Sequence, residues 1–157
     1  MSEQQQPNGQ AEPRIVIRAR LWALMLALML VCTGMVIGGA VLLFVELGWS
    51  WATLLPLSAG YGASVLYRKA EIQEHLTYVF FTCILVGSAT DVVSHMNLLG
   101  HLHTTGDKVL LLIGAAGVGV MRGLAAFMAV SGTVLITMVV QFVRDAIEGR
   151  RRARHAV

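Results

Sequence analysis

Between Lys108 and Arg144 the chain carries a single charged residue, Arg122. Wholly helical, segment 108–143 would be about 54 Å long, against roughly 30 Å of bilayer hydrocarbon. Leu21–Val45 and Leu76–Ala89 are almost as apolar. The chain is 56% hydrophobic and 13% charged, where soluble domains run near a quarter charged. A soluble fold of this length cannot hide that much apolar surface. The sequence therefore specifies an all-α integral membrane protein with the bilayer as its main partner.

Spacing predicts four transmembrane helices in a small bundle, at about 21–45, 51–67, 76–96 and 124–143. Segment 1–13, MSEQQQPNGQAEP, is polar and broken by two prolines, which predicts a disordered tail. Segment 14–143 is the membrane domain and 144–157 a basic tail. The first apolar run is too long for a signal peptide, so it reads as a retained span. Trp49 and Trp51 mark a membrane–water interface between the first two spans. Pro56 falls in the early turns of the second, where a missing N–H costs least.

Segment 108–121 fits none of these spans. Tilt does not absorb so large an excess of length, and Gly114, Gly117, Gly119 and Gly123 cluster around Arg122. A break there would make 108–121 a re-entrant, interfacial or outer-face helix before the last span. The alternative is one long, projecting helix.

Charge sets the orientation. Of twelve Lys and Arg, three lie before the first span (Arg14, Arg18, Arg20), two follow the second (Arg68, Lys69) and five lie in the last tail (Arg144, Arg150, Arg151, Arg152, Arg154). Positive-inside counting then puts both termini in the cytoplasm of a cell inner (plasma) membrane. Arg150, Arg151, Arg152 and Arg154 are placed to meet anionic lipid headgroups. This distribution fixes topology and is no nucleic-acid footprint.

With that orientation Asp91 lies about 22 Å along the third span, in its outer third. Ser94 and His95 sit near the outer surface, His101 and His103 in the loop beyond. Glu46 and Arg122 reach the same level, so the polar groups collect in one outer layer. Asp91 and His95, at i and i+4, share a helix face.

Three readings compete for this layer. Asp91 can pair with His95 or Arg122 and simply lock helices together. Asp91, His95, Arg122 and Glu46 can mark a proton or ion path. Asp91, His95, His101 and His103 offer one oxygen and three nitrogens to zinc or copper, although their spacing matches no standard site. His75 beside Glu71 and Glu74 reads as a solvated loop.

No nucleophile–base pair, phosphate loop or dinucleotide fingerprint is present, and no catalytic residue is assigned. Cys32 and Cys83 form no CxxC and read as buried thiols. Gly34 and Gly38 (a GxxxG), Gly62, Gly119 and Gly123 are the expected helix-packing glycines.

The expected function is a non-catalytic accessory or scaffold subunit of a larger envelope complex, in transport, secretion or conjugation machinery. Its partners would be other membrane subunits or further copies of itself. The alternatives are an oligomeric transporter or channel using Asp91 and Arg122, and an outer-face metal-binding protein.

Overall fold

The computed structural model describes the backbone of residues 12–155 and the side chains of 20–149. In these residues four α-helices follow one another: α1 Glu12–Val41, α2 Trp51–Leu66, α3 Ile72–Leu99 and α4 Thr105–His155. A π-helical turn, Leu42–Glu46, extends α1. Among the described residues the protein is all-helical, and three helices are long and apolar enough to cross a membrane: Arg20–Glu46, Ile72–Leu99 and Thr105–Gly149. With 16 residues, α2 is about 24 Å long and falls short of that length. The N-terminal tail expected over 1–13 lies almost wholly outside the described residues, as do the side chains of Arg150, Arg151, Arg152 and Arg154.

α4 is the central element. It packs against α1, α2 and α3, and it runs unbroken from Thr105 to His155. The break expected at the glycine cluster is not there, and segment 108–121 is the first part of this one long helix. The physical reason lies on α3. A Cβ at Gly119 would meet Gly87 O and Ser88 Cα, both at 2.5 Å, and one at Gly123 would meet Cys83 O at 2.6 Å. A Cβ at Gly87 would in turn strike Gly119 O. Here glycine brings two antiparallel backbones into contact and does not interrupt a helix. Inside a bilayer that is how helices gain van der Waals energy, because lipid is as apolar as leucine.

The other expected packing glycines make no such close approach within the chain. Gly34 and Gly62 face open space, and Gly38 has only Met128 Cε near, at 3.8 Å. The close contact of α1 is made one residue on. A Cβ at Gly39 would lie 2.6 Å from Ala125 O and 2.8 Å from Ala129 N, and one at Gly132 would lie 2.8 Å from Cys32 O. Cys32, Val36, Gly39 and Leu43 therefore form the stripe that α1 turns to α4. On α2 the tight position is Gly60, whose Cβ would sit 2.5 Å from Cys83 Sγ. The core between these stripes is built of small and β-branched residues, Ala63, Val79, Cys83, Ala125, Ala126 and Val130, closed by Leu43.

Pro56 is the sixth residue of α2, past its first turn. It has no N–H for the carbonyl of Ala52 four residues back. Thr90 Oγ1 on α3 lies 3.5 Å from that oxygen and donates also to Gly87 O at 2.9 Å. The orphaned acceptor thus faces a hydroxyl of the neighbouring helix.

Candidate functional site

The α3 stripe facing its neighbours reads His75, Val79, Cys83, Gly87, Asp91, with a step of four residues. Such a step keeps side chains on one face. The small residues in its middle draw α4 close, and this delivers Asp91 to Arg122. Arg122 Nε lies 3.4 Å from Asp91 Oδ2, with the two side chains 13% and 1% exposed. The alignment is that of a charge contact, since neither atom makes a hydrogen bond.

The rest of the guanidinium is held by the turn between α1 and α2. Arg122 Nη1 donates to Ser50 Oγ at 3.2 Å and Nη2 to Leu47 O at 3.3 Å. The π turn explains the second contact. Leu47 N closes it by donating to Leu42 O at 3.1 Å, and the next residue, Gly48, turns away at φ +75°. Leu47 O is therefore left outside any helical ladder and free to accept. Thr53 Oγ1 fastens the same turn by donating to Gly48 O at 2.9 Å. One arginine on α4 thus ties α3, α4 and the α1–α2 turn together.

His95 does not join the carboxylate. Its Nδ1 lies 2.8 Å from the backbone carbonyl of Asp91 and 3.1 Å from Ser94 Oγ. A carbonyl only accepts, so Nδ1 carries the proton in this arrangement. Glu46 reaches the level of the cluster by chain position, but its side chain is exposed. The groups that do contact Arg122, Ser50 Oγ and Leu47 O, are a hydroxyl and a main-chain oxygen nearby. The second is invisible in a residue list.

His101 and His103 are exposed in the loop after α3. The structure does not bring Asp91, His95, His101 and His103 to one point, and no group of three metal-ligating side chains occurs among the described residues. Asp91 is instead faced by a cation, which a metal would have to displace.

The opposite end of the bundle holds a residue that spacing alone places wrongly. α3 begins at Ile72, before the expected start at Leu76, and carries His75 into the bundle at 2% exposure. Its Nδ1 lies 2.8 Å from Tyr67 O, while Nε2 is buried without a partner. The signal for this was the four-residue step back from Asp91 through Gly87, Cys83 and Val79.

The chain matches no protein-family model, no curated protein and no solved structure.

Proposed function

We propose that the chain is a non-catalytic, multi-pass subunit that braces a larger assembly in an inner membrane. The observation that carries this reading is the length of α4. Its 51 residues make about 76 Å of helix, more than twice the hydrocarbon thickness of about 30 Å. The part before Arg122 runs beyond the level of the α1–α2 turn, and it is apolar where it projects. Leu110 is 69% and Ile113 64% exposed. Apolar surface of that kind marks contact with another protein or with lipid.

The orientation that fits this reading puts Arg68, Lys69 and Arg144 at the cytoplasmic face, by the positive-inside rule. In it α2 is a short fourth crossing, and the Asp91–Arg122 cluster lies toward the outer surface. The cluster acts as a fastening. Asp91 faces a cation, and two of the three guanidinium nitrogens are spent on Ser50 and Leu47.

A photocrosslinker at Leu110, with one at Leu30 on the exposed face of α1 as a control, tests the reading in intact cells. Adducts to one other membrane protein, or to a second copy, from Leu110 and not from Leu30 are expected. A chain that gives no adduct and purifies alone, stable and monomeric, overturns the proposal. Proton or ion flux in reconstituted liposomes would favour the oligomeric conductor using Asp91 and Arg122.

A further inference from the structure

A cleft of about 410 Å³ opens between α2, α3 and α4 at the Arg68 end of the bundle. His75, Arg68, Tyr61, Thr133, Thr137 and Gln141 line it. The volume is within the range of small-molecule sites. Beside the Gln141 amide, which can both donate and accept, its hydroxyls are left as acceptors, and the reason is where their protons go. Tyr61 OH donates to Thr133 Oγ1 at 3.2 Å, and Thr133 Oγ1 donates to Ala129 O at 2.8 Å. Thr137 Oγ1 donates to Thr133 O at 2.9 Å, which leaves its lone pairs unspent.

His75 adds a buried acceptor. With Nδ1–H committed to Tyr67 O, the neutral ring leaves a lone pair on Nε2. That atom is buried and has no partner, a condition that native structures rarely leave unmet. Beside these acceptors stands one cation, Arg68. The complementary ligand therefore carries a negative charge for the guanidinium and, close to it, an N–H or O–H donor for the acceptors.

The position of the cleft narrows the class further. It sits where α2 ends at Leu66 and α3 begins at Ile72. The rings of Tyr67 and Tyr78 stack there at 4.2 Å, and such aromatics favour the headgroup level of a bilayer.

We propose that this cleft binds a phosphate ester bearing a hydrogen-bond donor, as in the headgroup of phosphatidylethanolamine or phosphatidylglycerol. Arg68 takes the phosphate. His75 Nε2 and Thr137 Oγ1 accept from the ammonium or hydroxyl. Phosphatidylcholine carries the same phosphate but no donor, so the site discriminates against it. The proposal holds whether or not the chain braces an assembly.

Native mass spectrometry of the delipidated, detergent-purified full chain, titrated with each lipid, reads the selectivity. Wild type retains phosphatidylethanolamine about tenfold better than phosphatidylcholine, the discrimination of one well-made hydrogen bond. His75→Asn keeps a donor where Nδ1 stands but removes Nε2, and it brings that ratio close to one. Should that variant fail to fold, Thr137→Val removes an acceptor at the cleft's more exposed wall and lowers the same ratio. Arg68→Gln weakens both lipids, and Lys69→Gln weakens neither. Competition with soluble O-phosphoethanolamine separates the sources: displacement at comparable concentration assigns a soluble phosphate ester, and its absence assigns the lipid. Equal retention of the two lipids by wild type overturns the proposal, as does a selectivity that survives both His75→Asn and Thr137→Val.

Discussion

Asp91 on α3 and Arg122 on α4 form a buried ion pair, Oδ2 to Nε at 3.4 Å, at the end of the bundle where the α1–α2 turn closes over them. Taking two charges out of water is expensive, and their attraction offsets that only when the remaining donors are satisfied. Ser50 Oγ and Leu47 O meet that need for two of the three guanidinium nitrogens. The pair is therefore specific: it sets α3, α4 and the turn in one register.

Close packing of α3 on α4 depends on glycine at three positions. Gly87→Ala is expected to destabilise the fold by about 1–3 kcal/mol, the usual range for overpacking, because its Cβ meets the backbone of Gly119 and Gly123. Gly34→Ala meets open space and is expected to be neutral or slightly stabilising through helix propensity. Unfolding by SDS titration in mixed micelles measures both. Equal losses for the two would contradict the assigned packing faces.

Continuity of α4 is accessible to cysteine labelling in a chain whose Cys32 and Cys83 are replaced by Ser. Leu110, Ile113 and Val118 are exposed, whereas Ala115 and Gly119 are buried. Labelling across 109–121 should follow a helical period without interruption. Protection that lapses over several consecutive residues near Gly114–Gly117 would mean a break.

The histidines of the α3–α4 loop should be dispensable. His101→Ala together with His103→Ala is expected to leave thermal stability in detergent within about 0.5 kcal/mol of wild type, as for ordinary surface changes. A chelator should shift neither protein. A stability loss on chelation that disappears in the double variant would restore the metal reading.

The membrane character and helical class were legible because apolar runs of this length have few other uses. The packing faces were not. Gly119 and Gly123 carry the same sequence signal whether a helix breaks or meets a neighbour, and what decides is the backbone of Gly87, some thirty residues away. The GxxxG of Gly34 and Gly38 named a face, but the register of α1 against Ala125 and Ala129 selects Gly39 instead. In the polar layer, Asp91 and Arg122 stood out as charges in apolar surroundings. Leu47 O did not, because a main-chain acceptor exists at every residue and only the π turn frees this one. His75 was hidden by an underestimated helix start.

The central claim is that Asp91 and Arg122 act as one unit holding the fold. A double-mutant cycle with Asp91→Asn and Arg122→Gln, read by SDS unfolding, tests it most directly. Removing either partner leaves a buried charge alone, and each single variant should lose about 3–5 kcal/mol. The double variant should lose less than the sum, by a coupling of about 1–3 kcal/mol. Losses that add within about 0.5 kcal/mol would show that the two residues act independently and would contradict the account.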